Sequence, residues 1–225
     1  MCNNGTVEVQ VRKITLFGVM TLIASLAISA NAFAQKSKDT LRIAFSDPIS
    51  TVDLVYDPKP ETAFTARIIF DGLVFFDDFT GEFKPLLAKS WKRIDPKTME
   101  FDLRDDVKFH DGSEFDADDV VYTINWLKNP KTRIRFKTNY IWIAKVEKLG
   151  KYKVRITTKR PSAVGLMRLA KSIPMFPSDV HSKLKAKNTF GRNPVGTGPL
   201  IVKQVDPNKG IIMVPNKNYK HGGTW

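Results

Sequence analysis

Between residues 35 and 225 the apolar positions recur at period two in some stretches and near 3.6 in others, and the switches between the two outline the elements. Leu41-Arg42-Ile43-Ala44-Phe45 begins by alternating and ends fully apolar, which predicts a strand that stops at Ser46-Asp47-Pro48. The segment from there to Pro60 is rich in Asp and Pro, and because proline cannot donate to a ladder a loop is expected. Glu61 to Phe70 places Phe64, Ile68 and Ile69 near one helical face and ends at Asp71-Gly72. Leu73 to Phe76 and Phe79 flank Asp77-Asp78 and Gly81 as in a hairpin, after which Pro85-Leu86-Leu87-Ala88 leads toward Trp91. Met99, Phe101 and Leu103 alternate with Glu100, Asp102 and Arg104, and Val107 and Phe109 repeat the alternation, which predicts an antiparallel hairpin across Asp105-Asp106.

Asp116, three residues before Asp119, offers a side-chain cap to a helix whose apolar stripe is Val120, Val121, Ile124 and Leu127 and whose stop is Asn129-Pro130. Tyr140 to Val146 and Tyr152 to Thr158 read as strands turning at Leu149-Gly150. Ser162 to Lys171 reads as a short helix, and Leu200 to Val205 and Ile211 to Val214 as two further strands.

Composition excludes a disordered or fibrous chain, with 42% hydrophobic and 11% aromatic residues. Arg12 and Lys13 precede the apolar run Ile14 to Ala30, and Ala32-Phe33-Ala34 fits a cleavage site before Gln35, so residues 1–34 read as a secretory leader cut between Ala34 and Gln35. A membrane anchor is the alternative for the same run. The polar residues ahead of the basic pair place the natural start near Val11, and Cys2, the one cysteine, falls in that piece. Residues 35–130 hold 13 basic and 19 acidic groups, whereas residues 131–225 hold 21 basic and only Glu147, Asp179 and Asp206 as acids. One half is acidic and the other strongly basic.

Little in the chain carries catalysis. His110-Asp111 has the composition of a base and its orienting carboxylate, but neighbours in a strand point to opposite faces, so turn chemistry is expected there. His110, His181 and His221 lie too far apart in sequence to form a local ligand pair, and no metal or cofactor is expected. Gly191 to Gly198 has the outline of a phosphate loop, yet Thr197 stands in the lysine position and Pro199 where a helix would start. Gly196-Thr197-Gly198-Pro199 is therefore expected to make a tight turn into the strand at Leu200, its glycines supplying unusual backbone angles. The basic half, with Arg133, Arg135, Phe136, Tyr140, Trp142 and Tyr152 interleaved, has the ingredients of a nucleic-acid surface. The secretory leader argues against that partner, and leaves a bias toward anionic ligands or lipid headgroups.

Ser90-Trp91, Leu103-Arg104, Val107-Lys108-Phe109-His110-Asp111-Gly112 and Ala117-Asp118-Asp119-Val120 stand at spacings that resemble the extracellular solute-binding proteins of peptide and nickel ABC transporters, family 5. Phe70-Asp71-Gly72-Leu73, Pro194-Val195-Gly196-Thr197-Gly198-Pro199 and Asn216-Lys217-Asn218-Tyr219 are similar to three further landmarks of that family, so the resemblance covers residues 40–225.

The resemblance implies an α/β fold, a periplasmic-binding-protein-like type II lobe, incomplete, with an inserted α+β domain. Residues 35–53 and 193–225 would belong to the first lobe and 54–160 to the insertion, with 161–192 as an unassigned connection and the second lobe absent. It implies a periplasmic substrate-binding component of an ABC importer for peptides or similar small solutes, with no enzymatic activity, an inner-membrane ABC permease as partner, no nucleic acid, and a monomer. Relatives are more than twice this length, so a truncated form with one wall of the ligand cleft is expected. In relatives the loop after the first strand approaches the ligand with its backbone, which makes Phe45, Ser46, Asp47 and Ile49 the expected ligand-binding positions. A basic interaction module and an exported hydrolase are the other two function classes, the last without a recognisable nucleophile, base and orienter.

Overall fold

The computed structural model describes residues 41–220. The expected leader with its cleavage site, Cys2 and His221 lie outside them. Residues 41–44 group apart from Phe45 and beyond. Leu41 to Phe45, expected as a strand, has no ladder partner among the described residues, and Leu41 is 84% exposed. Alternation in a sequence marks a capacity for pairing; the strand itself needs a neighbour.

Helix α1 (Pro60–Ile69) starts with a proline whose missing N–H costs nothing in the first turn, and carries Glu61 at its positive end. Its buried face is Thr62, Thr65, Ala66 and Ile69, while Phe64 is turned outward, so the expected Phe64–Ile68 face is rotated from the observed one. Strands β1 (Val74–Phe76) and β2 (Phe83–Pro85) form the expected hairpin, closed by Asp77, whose carboxylate accepts from the amides of Phe79 and Thr80 and from Lys84. Those bonds hold the Asp77 carboxyl down at about 2.

The main sheet contains β3 (Ala88–Asp95), β4 (Thr98–Leu103), β5 (Ile143–Gly150) and β6 (Lys153–Thr158), antiparallel in the order β3-β4-β6-β5. Phe101, Leu103, Val154, Ile156, Ile143 and Val146 form its buried face. On the other face one cross-strand row reads Lys92, Glu100, Arg155, Glu147, so opposite charges stand side by side across all four strands. Glu100 is the hub, 2.6 Å from Arg155 Nη2, 3.5 Å from Lys153 Nζ and 3.7 Å from Lys92 Nζ, and the Arg155 hydrogen bond keeps its carboxyl below the usual range.

The expected hairpin between residues 99–103 and 107–109 does not form, because both edges of β4 are already taken by β3 and β6. Residues 107–115 fold on themselves instead, with Phe115 N donating to Val107 O and Lys108 bridged to Glu114. Gly112, at φ 91°, makes the turn that only glycine enters freely.

Helix α2 (Ala117–Lys128) packs its Val120, Ile124 and Leu127 stripe onto β5 and β6. Asp116 Oδ1 accepts from the Asp118 amide at 2.7 Å, and Asp119 Oδ2 accepts in return from the Asp116 amide at 3.0 Å, a reciprocal cap. Asp119 is buried, which raises its pKa, and its other oxygen accepts from Ser178 N at 2.7 Å, tying α2 to α4 (Ser178–His181). Helix α3 (Gly165–Lys171) covers β1, and the hairpin β7 (Leu200–Asp206) and β8 (Gly210–Pro215) lies against α1. Among the described residues no helix is long and apolar enough to cross a membrane.

Replacing Asp116 by Ala should lower the urea-unfolding free energy by about 1 kcal/mol with an unchanged m-value. Asp119→Ala should cost more, because besides its half of the reciprocal cap it removes the carboxylate that accepts from Ser178 N. Equal losses in the two variants would show that the Ser178 bond adds nothing.

Candidate functional site

The loop from Phe45 to Lys59 is fastened from behind and open in front. Ile49, Val52 and Val55 are buried, and Val52 N donates to Gly191 O at 3.0 Å. Asp53 closes the loop locally: Oδ1 accepts from Val55 N at 3.0 Å, and its carbonyl accepts from the amides of Tyr56 and Asp57. Its Oδ2 is buried without a hydrogen-bond partner among the described residues, and desolvation pushes the carboxyl up to about 6.

Of the four expected ligand positions, Phe45, Ser46 and Asp47 lie on the open side, and Ile49 is one of the buried anchors. The Phe45 ring meets that of Phe64 at 5.7 Å between centroids, tilted by 58°, and the two residues remain 36% and 46% exposed. Asp47 sits 3.7 Å from the Lys59 ammonium, a solvent-facing pair. Among the described residues the backbone amides of Phe45, Ser46, Asp47, Ile49 and Ser50 donate to no carbonyl or side chain. The loop thus presents a short row of unused N–H donors beside an exposed aromatic pair. The exposure of Phe64 is not legible in the sequence, where helical periodicity puts it on one face with Ile68 and Ile69.

Behind this loop, four separated segments meet in one buried knot. Thr197 Oγ1 donates to Asp71 Oδ2 at 2.9 Å and accepts from Asp71 N at 3.4 Å. Gly198 N donates to Ile69 O at 2.9 Å. The backbones approach so closely that a Cβ at Gly196 would lie 2.0 Å from Ile69 O, and one at Gly198 2.7 Å from Ile68 O. Neither glycine has a positive φ. The expectation that they supply unusual backbone angles is therefore corrected: they are glycines because no side chain fits.

His110 clamps the same turn. Gly196 N donates to His110 Nδ1 at 3.2 Å, so the ring proton sits on Nε2 and is given to Gly198 O at 3.0 Å, while His110 N donates to Gly196 O at 2.8 Å. Burial lowers the pKa of the ring, consistent with this neutral form. Gly198 O also accepts from Asn216 Nδ2 at 3.0 Å. Asp111 does perform the expected turn chemistry, accepting from Ser113 N and Oγ, but the role of His110 in fixing a distant loop was not legible from its neighbours in sequence.

A second buried group is His181, stacked on Phe176 at 4.8 Å, edge-on to Trp126 and Phe190, with Nδ1 2.7 Å from the Tyr122 hydroxyl and Nε2 without a partner among the described residues. Its desolvation lowers its pKa to about 4. Among the described residues no three His, Cys, Asp or Glu side chains are grouped closely enough to hold a metal ion.

Residues 82–224 match the sequence profile of the bacterial extracellular solute-binding proteins, family 5 Middle. The chain is 32% identical over 205 residues to the nickel-binding periplasmic protein of Escherichia coli K12, covering 88% of this chain and 38% of that protein. It is 26% identical to di/tripeptide-binding protein 3 of Pseudomonas aeruginosa, covering 88% of this chain and 41% of that one. Among solved structures, NikZ of Campylobacter jejuni in complex with Ni(L-His) superposes with a TM-score of 0.73 at 33% identity, over 82% of this chain and 37% of that one. The dipeptide-binding protein of Pseudoalteromonas sp. SM9913 in complex with Met-Leu does so with a TM-score of 0.69 at 28% identity, over 79% and 39%. The fold is therefore that of a type II periplasmic binding protein, of which the chain spans about two fifths.

Gly196→Ala should destabilise the protein by roughly 3 kcal/mol in denaturant unfolding, as expected for overpacking against backbone. Gly81→Ala, at φ 73° with nothing near its Cβ, should cost only about 1 kcal/mol. Similar losses would show that the knot tolerates a methyl group.

The two orphaned groups should act oppositely on stability against pH. The raised pKa of Asp53 contributes stability that is complete below about 3.8 and lost as pH rises through about 6. The depressed pKa of His181 contributes stability that is complete above about 6.5 and lost as pH falls toward about 4. Melting curves of Asp53→Asn should fall more steeply than those of the parent between pH 6.5 and 4, and those of His181→Gln less steeply; parallel curves would show that neither group is desolvated.

Proposed function

Because the chain belongs to the bacterial extracellular solute-binding proteins of family 5, we propose that it is part of the periplasmic substrate-binding component of an ABC importer. It delivers a peptide or similar small solute to an inner-membrane permease, as a monomer and without chemical turnover. The supporting observation is the unused amide row of Phe45 to Ser50 beside the Phe45–Phe64 pair. A peptide satisfies both features at once, its carbonyls accepting from the amides and an apolar side chain lying on the rings. Phe45, Ser46 and Asp47 are the contacting positions, and Ile49 is the anchor that fixes the loop behind them.

The division of the chain follows the same reading. Residues 35–53 and 193–225 belong to one lobe, a grouping supported by the bond from Val52 N to Gly191 O just ahead of the second segment. The solute is held against one wall by this chain, so the affinity of this chain by itself is low.

Titration of the isotope-labelled chain with di- and tripeptides should shift the amide resonances of Phe45 to Ser50 and the ring of Phe64, and Phe45→Ala should weaken the response about tenfold, the scale of one lost aromatic contact. Shifts confined to other regions, or none at millimolar peptide, would overturn the assignment.

A further inference from the structure

The basic half of the chain is not evenly basic on the surface. Among the described residues, the ion pairs use Lys59, Lys84, Lys92, Arg104, Lys145, Lys148, Lys151, Lys153, Arg155 and Lys171. None draws on residues 128–137 or 183–192, two loops that contain nine Lys and Arg and no acid. Within them Lys128, Lys137 and Lys187 cap backbone carbonyls. Lys131, Arg133, Arg135, Lys183, Lys185 and Arg192 are exposed and have no acidic partner among the described residues.

The fold brings the two loops to the same place. Thr132 Oγ1 donates to Trp126 O at 2.9 Å, and Arg135 N donates to Val55 O at 3.1 Å. The Trp126 ring is 4.6 Å from that of His181, two residues before Lys183, and Gly191, next to Arg192, is bonded to Val52. Both loops are thus pinned to residues 52–56 and to Trp126. The acids near these anchor points in sequence are Asp57, Glu61 and Asp179, and Asp53, which is buried.

Between Arg135 and Lys137 stands Phe136, 60% exposed and held at φ 41°, a left-handed conformation that a residue other than glycine seldom adopts. The chain therefore spends backbone strain to present an aromatic ring to solvent amid cations.

We propose that this face docks on the anionic phospholipid headgroups of a bilayer, the cations meeting phosphates and Phe136 entering the interface. Cations flanking an exposed aromatic ring match a charged headgroup layer over an apolar interior. A nucleic acid, the other polyanion, would call for a succession of exposed stacking rings. Here Tyr140 is buried and Trp142 is half-buried under Arg168. Placement outside the cytoplasm also brings a membrane surface within reach, so the inference rests on the location of the family and not on its solute.

Co-sedimentation of the full chain with vesicles of phosphatidylcholine, alone or mixed with phosphatidylglycerol, tests it; the neutral vesicles report what the apolar run of residues 14–30 contributes. The proposal expects tighter partition to the anionic vesicles, weakened by salt. Arg133→Glu, Arg135→Glu, Lys183→Glu and Lys185→Glu combined should reduce that gain about a hundredfold or more. Reversal of Lys203, Lys209, Lys217 and Lys220, the same change in total charge placed on and just after the β7–β8 hairpin, should reduce it far less. Phe136→Ser should weaken binding to the anionic vesicles while leaving its salt dependence intact. Equal loss in the two charge-reversed chains, no preference for anionic vesicles, or retention on single-stranded DNA without retention on vesicles would each overturn the proposal. Circular dichroism and melting of each variant show that the fold is kept.

Discussion

The backbone at Gly196 and Gly198 lies against the carbonyls of Ile68 and Ile69 with no room for a side chain, and around that contact the rest of the structure is arranged. Asp71 and Thr197 satisfy each other beside it, His110 closes it from the turn after β4, and Asn216 closes it from the end of β8. Such a cluster is costly when incomplete, because each buried donor or acceptor left alone incurs its full desolvation penalty. Complete, it welds α1, the 107–115 turn and the β7–β8 hairpin, which are far apart in sequence, into one frame. The loop of Phe45 to Ser50 depends on that frame: Val52 is bonded to Gly191, which itself packs so closely on Thr51 and Asp53 that no Cβ would fit.

The knot also explains why the family resemblance was legible in short scattered motifs. Asp71 comes from one landmark, His110 from a second, Gly196 to Gly198 from a third and Asn216 from a fourth. What reads as four separate signatures along the chain is a single set of hydrogen bonds in space. The capped helix at Ala117–Lys128, the β5–β6 pair and the β7–β8 hairpin were likewise readable, because each is specified by local chemistry: a reciprocal aspartate cap, an alternating face, a turn.

What failed to be legible was set by partners distant in sequence. Periodicity placed Val107 and Phe109 in a hairpin with β4, but it could not show that both edges of β4 are claimed by strands before and after it. It placed Phe64 on the apolar face, whereas Thr62, Thr65, Ala66 and Ile69 form the buried face and the ring is released to Phe45. The two glycines were assigned to unusual dihedral angles, since a sequence does not show which backbone will arrive alongside. The unused amides at Phe45 to Ser50 could not be foreseen at all, because they are defined by bonds that are not made among the described residues.

Native-state hydrogen exchange at the Gly198 amide, which donates to Ile69 O at 2.9 Å, tests the central role of the knot most directly. If the knot holds the frame together, this amide exchanges only when the whole protein unfolds, with a free energy equal to that from denaturant unfolding and the same denaturant dependence. Exchange through a local opening of much lower free energy, insensitive to denaturant, would show that the frame stands without it.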